Sequence, residues 1–164
     1  MEPYIKKILV PVDFSDYSKS SLKYAVNFAK HFGAELYLVY VVEPMVYPPD
    51  FSMGQIAIPS VDVEMDKRAV EELTNLAKKE IPSDVKSHLI VKTGKPFVEI
   101  IETASAEDVD LIIIATHGHT GIEHVLFGST AEKVVRKAPC PVLTLREPIK
   151  GFEFKEEIKK EMRN

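Results

Sequence analysis

Two hydrophobic rhythms alternate along the chain. The runs Ile8-Leu9-Val10, Leu36 to Val42 and Leu111 to Ile114 are apolar at nearly every position. That is the pattern of short strands buried on both faces of a parallel sheet. Between them, apolar residues recur at helical spacing. Leu22, Ala25, Val26, Phe28 and Ala29 predict a helix over Asp16 to Phe32, with Ser15 or Asp16 as its cap and Gly33 as its stop. Met65, Ala69, Leu73, Leu76 and Ala77 predict a second over Val61 to Glu80, ended by Pro82. Val98, Ile101 and Ala104 mark the inner face of a third from Phe97 to about Ala106, entered through the turn Thr93-Gly94-Lys95-Pro96.

The strands follow from the same pattern. They are Ile5 to Val12, weakened at its end by Pro11, then Glu35 to Val42, Val85 to Val91, Leu111 onward, and Pro141 to Arg146. Gly128-Ser129-Thr130-Ala131-Glu132 has the Ser-x-x-Glu spacing of a capping box, which makes Ser129 the expected N-cap of a fourth helix reaching Lys137. Strands alternating with helices predict an α/β fold, a doubly wound open sheet of five mainly parallel strands with helices on both faces, Rossmann-like, in the order 3-2-1-4-5. Residues 1–146 form this domain.

Two stretches fall outside the rhythm. Pro44 to Ser60 holds four prolines and the apolar residues Met45, Val46, Tyr47, Phe51, Met53 and Ile56. A loop of that length is either a mobile lid or partner contact, or a variable surface insertion. Residues 147–164 place Phe154, Ile158 and Met162 four apart, with Glu156 and Lys160 as an (i, i+4) pair, and predict a helical tail. The last strand has no successor and should lie at a sheet edge, where pairing with its own copy would give a two-fold homodimer through Pro141 to Arg146.

Composition narrows the possibilities. At 164 residues one domain is expected, and a net charge of -4 argues against broad nucleic-acid binding. The lone Cys140 allows no internal disulfide and suits a reducing compartment. The start of the chain has no export pattern, and no apolar run approaches the ~20 residues of a membrane helix. A cytoplasmic protein is the expectation, bound to neither nucleic acid nor membrane.

The chemistry concentrates between Leu111 and Ala131, where Gly118, Gly121 and Gly128 lie between a buried strand and a helix start. Such a loop offers backbone N–H groups with a helix dipole behind them, a site for an anion and above all for phosphate. In a doubly wound sheet this loop faces Pro11, Val12 and Asp13 at the end of the first strand, with Val41 at the end of the second as the other wall. No lysine or arginine lies between Leu111 and Glu132, and Gly128 directly precedes Ser129 where a Walker-type site would place lysine. Binding is therefore favoured over phosphoryl transfer. Asp13 suits either a metal or ribose contact or support for the first helix cap. Ser129 as N-cap, worth about 1 kcal/mol, could also meet phosphate. His117, His119 and His124 invite a metal reading, but without a third fixed ligand no protein-held metal is assigned. Cys140, between two prolines, reads as an inert thiol.

These residues carry a resemblance. Gly118 and Gly128, with nine residues between them and Ser129 following, match the second and third glycines of the nucleotide motif of the universal stress protein family's ATP-binding type, while Ala115 stands at the first glycine. Ala138-Pro139-Cys140-Pro141-Val142-Leu143 is also similar to that family, and the likeness runs from about Tyr4 to Arg146. It implies an ATP-binding module of the stress response. Adenine would meet main chain at Pro11, Val12, Asp13 and Val41. Ribose and phosphates would meet Ala115, Thr116, His117, Gly118, His119, Thr120 and Gly121, together with Gly128, Ser129, Thr130 and Ala131. Mg²⁺ or Mn²⁺ would sit on the phosphates, the protein would dimerise through its last strand, and a protein partner would read its state. The alternatives are a slow ATPase or nucleotidyl-transfer enzyme, and an interaction scaffold without nucleotide.

Overall fold

Strands that are apolar at every position have to be covered on both sides. The computed structural model, which describes residues 4–44, 59–117 and 128–146, covers them with helices. The order of elements is β1 (Lys7–Pro11), α1 (Asp16–Phe32), β2 (Glu35–Val42), α2 (Pro59–Glu80), β3 (Ser87–Thr93), α3 (Pro96–Ala106), β4 (Leu111–Ala115), α4 (Ser129–Lys137) and β5 (Val142–Leu145). The sheet runs β3-β2-β1-β4-β5, and all four pairings are parallel rather than mainly so.

Successive residues of a strand face opposite ways, so each central strand feeds two cores. Ile8 and Val10 of β1, Leu36 and Leu38 of β2, and Leu111 and Ile113 of β4 pack with α1 and α2. Leu9, Val39, Ile112 and Ile114 pack with α3 and α4. Ile113 is fully buried, and trimming it to alanine would cost about 2–5 kcal/mol.

Local signals set most boundaries. Ser15 caps α1, its side chain accepting the N–H of Ser18, and Gly33 ends the helix at φ 66°, a left-handed conformation that glycine adopts without strain. Pro11, which has no N–H, is the last residue of β1 and lies opposite Val39. The α2 helix begins at Pro59, two residues before the predicted start, and β3 lies two residues later than predicted.

Two expectations are corrected. The inner face of α3 is Ile100, Thr103 and Ala104, whereas Val98 and Ile101 are only half-buried. The N-cap of α4 is Gly128 and not Ser129, so the Ser129–Glu132 capping box does not form. Glu132 instead pairs with Arg136 at 3.2 Å. The predicted tail helix and most of the Pro44 to Ser60 insertion lie outside the described residues. Among the described residues no helix is long and apolar enough to cross a membrane.

Candidate functional site

The sheet reverses its winding between β1 and β4. From β1 the chain proceeds to β2 on one side, and from β4 to β5 on the other. The loops leaving β1 and β4 therefore diverge and leave a crevice at the carboxyl ends of the strands. A cleft of about 350 Å³ opens there. It takes one wall from Pro11, Val12 and Asp13, a second from Val39, Tyr40, Val41 and Glu43, and a third from Ala115, Thr116, His117 and Gly128 to Ala131. Every described residue of the predicted set thus lines one cavity. Gly118, His119, Thr120 and Gly121 lie outside the described residues, as does His124.

Ala115 is the last residue of β4, opposite Leu145, and is not among the residues with positive φ. The backbone therefore makes no demand for glycine at this position. Thr116 ties three elements together. Its N–H donates to Leu145 O at 2.9 Å, and its own carbonyl accepts the N–H of Gly128 at 2.6 Å. A Cβ on Gly128 would stand 3.2 Å from that carbonyl, so the close approach favours a residue without one. Thr116 is 3% exposed, and its side chain bonds Leu145 O at 3.3 Å and His117 Nδ1 at 3.0 Å.

With Gly128 as cap, α4 has no side-chain hydrogen bond closing its N-terminus. Gly128 O accepts from Glu132 N at 3.0 Å, which is the helix's first internal bond. The N–H groups of Ser129, Thr130 and Ala131 precede that bond and find no acceptor among the described residues. These donors, with the positive end of the helix dipole, border the cleft.

The opposite wall offers main chain together with apolar, phenolic and acidic side chains. Val12 N–H donates to Val39 O at 2.9 Å, the last described rung between β1 and β2. Strand alternation puts the main-chain groups of Val41 on the same side as those of Val39, where β1 has already departed. A donor and an acceptor of one residue thus face the cleft. The Asp13 carboxylate accepts both the N–H and the hydroxyl of Ser15, and so buttresses the α1 cap. Burial pushes the Tyr40 phenol up, with Glu72, Asp13 and Glu43 adding to the effect, so it remains a neutral hydroxyl.

The lining holds Asp13 and Glu43 but no lysine or arginine among the described residues. No group of three or more histidine, cysteine, aspartate or glutamate side chains suited to a metal occurs among them either. Cys140 is half-buried against the α3–α4 core, its thiol pushed up by burial and then by Asp110. Sequence reasoning missed Ser18, Val39, Tyr40, Glu43, Pro96, Ile100 and Ile114 in the lining. Pro96 alone had a signal, since it opens the helix after the third strand, and loops at that end of a doubly wound sheet converge.

The chain is similar to universal stress protein MJ0531 of Methanocaldococcus jannaschii, 38% identical over 91% of this chain and 86% of that protein. Its fold matches the solved structure of the M. jannaschii protein MJ0577 with a TM-score of 0.75, at 28% identity over 88% of this chain and 97% of the other. A universal stress protein solved in complex with cAMP shares the fold at a TM-score of 0.59, 23% identity, and 87% and 97% coverage. The profile of the universal stress protein family matches residues 5–146, and together with the relative at 38% identity it shows that the chain belongs to that family.

Proposed function

We propose that the chain is an ATP-binding regulatory module of the stress response, holding the nucleotide with main-chain donors and not with cationic side chains. The observation that carries this reading is the uncapped start of α4. Three N–H groups without described acceptors border a cleft whose far wall offers a donor and an acceptor on one strand edge. The first set suits phosphate oxygens and the second suits the edge of a purine.

The donor set is also consistent with a divalent ion. Asp13 is engaged with Ser15, so Mg²⁺ or Mn²⁺ would take its ligands mainly from phosphate oxygens and water. Such an ion would offset the repulsion between phosphate and the two lining acids. The lack of a lysine or an arginine at the described lining favours binding over hydrolysis. The same reading places the protein in the cytoplasm as a homodimer paired along β5, the short outer strand, with its state read by a protein partner.

Mass spectrometry of the small molecules released from freshly purified, denatured protein tests the first claim. Adenine nucleotide at near-stoichiometric amount is the expected result. Absence of bound nucleotide, with no heat on titrating ATP and Mg²⁺ or cAMP, would leave an interaction scaffold. ATP turnover well above buffer would make the protein an enzyme.

A further inference from the structure

The cleft contains one side chain among its described residues that can become cationic, His117, and the structure constrains how it does so. The Thr116 hydroxyl has one proton and two neighbours, Leu145 O at 3.3 Å and His117 Nδ1 at 3.0 Å. A carbonyl can only accept. If the hydroxyl gave its proton to Nδ1, its buried oxygen would face the Leu145 oxygen with no hydrogen between them. If it donates to Leu145 O and accepts from Nδ1–H, both contacts are satisfied. The second arrangement leaves no buried group unpaired.

We propose that Thr116 holds His117 as an Nδ1–H donor, so that the ring's Nε2 meets a ligand's phosphate as a donor only when the imidazole is protonated. His117 then sets the preference of the cleft for phosphorylated over unphosphorylated ligands. This rests on the nucleotide reading above. A neutral ring pinned in this way shows a lone pair at Nε2, which repels a phosphate oxygen; an imidazolium shows an N–H, which bonds it. Nε2 has no hydrogen-bond partner among the described residues. The groups around the ring are Tyr17 of α1, with ring centroids 5.6 Å apart, and Asp13, Glu43 and the open end of α4 across the cleft. Thr116 acts in this proposal as a positioning residue, through its bond to the His117 ring.

Titration calorimetry of ATP, AMP and adenosine between pH 8 and pH 5.5 tests the proposal on the wild type and on His117→Asn. Asparagine keeps an amide donor where Nδ1 stands and removes Nε2. Comparing the two proteins at each pH cancels the titration of the ligand's own phosphate. The wild-type advantage for ATP should grow roughly tenfold as pH falls, the worth of one charge-assisted hydrogen bond, and should stay near one for adenosine. Thr116→Val frees the neutral ring to take its other tautomer. It should therefore flatten the pH dependence while ATP still binds at pH 8, and Thr116→Ser should restore it. A Thr116→Val protein that weakens all three ligands equally, or a wild-type advantage independent of pH, overturns the assignment while leaving nucleotide binding intact. Failure of every ligand to bind at every pH overturns the nucleotide reading and this assignment with it.

Discussion

The two strand-to-helix junctions that frame the cleft begin alike and are finished differently. After β1, Asp13 holds Ser15, Ser15 caps α1, and the buried Ser18 hydroxyl takes the N–H of Asp13 at 3.3 Å while donating to Ser15 O. The helix start is closed by its own side chains. After β4, Gly128 bonds Thr116 through main chain and no side chain among the described residues closes α4. A serine stands at each junction, but among the described residues only the first is bonded into the fold. The difference separates a structural helix end from one whose first N–H groups have no acceptor among the described residues.

Substitutions can break or sharpen that contrast. The largest effect is expected for Ser129→Glu. A carboxylate at the first position of α4 would repel a ligand's phosphates, and calorimetry should show ATP affinity falling by about 100-fold or more. The same charge suits the helix dipole, so the melting point should hold or rise, by at most ~1 kcal/mol of stability. Ser129→Ala should weaken ATP by about two- to tenfold, the worth of one hydrogen bond, and leave stability within ~0.5 kcal/mol because the hydroxyl caps nothing among the described residues. Ser15→Ala should do the reverse. It should cost about 1 kcal/mol, seen as a melting point ~2–4 °C lower, with ATP affinity held within twofold. If Ser15→Ala and Ser129→Ala gave the same pair of readings, the contrast between the two junctions would fail.

The smallest effect should come from the other end of the sheet. There the Lys86 ammonium, and then the His88 ring, each 2.8 Å from Glu35, hold its carboxyl below the usual glutamate range. A lowered pKa means the ion pair's contribution is present above the ordinary glutamate range and is lost as pH falls through the shifted value. The side chain is open to solvent, so the contribution is small. Acid titration of wild type against Glu35→Gln should show a slight wild-type advantage at neutral pH that vanishes in acid, with ATP affinity unchanged.

How much of this was legible in the sequence depends on how local each cause is. The central strands could be read because Ile8 to Val10 and Leu111 to Ile114 are buried on both faces, which leaves no room for polar residues. The edge strand β3 is only half-buried along most of its length, so its ends were less sharply marked. Ser15 was readable as a cap because its partner Ser18 is three residues away. Ser129 was misread because the cap is decided by Gly128 meeting the Thr116 carbonyl, a contact that spacing within the helix cannot reveal. The face of α3 was misread for a related reason. Eleven residues make about three turns, too few to fix the phase of the stripe, and the buried Thr103 removed the polar cue. The cleft's main-chain contributors followed from topology, whereas Tyr40 and Glu43 depend on where β2 stops relative to β1.

The Leu145 carbonyl receives both the N–H and the hydroxyl of Thr116. Leu145 ends β5, the outermost strand on that side, and Thr116 is the residue from which the start of α4 hangs. The rim of the sheet and the mouth of the crevice therefore share a single oxygen atom. A tug on that rim, whatever applies it, would reach the crevice after one hydrogen bond, with no lever or long relay of side chains between them.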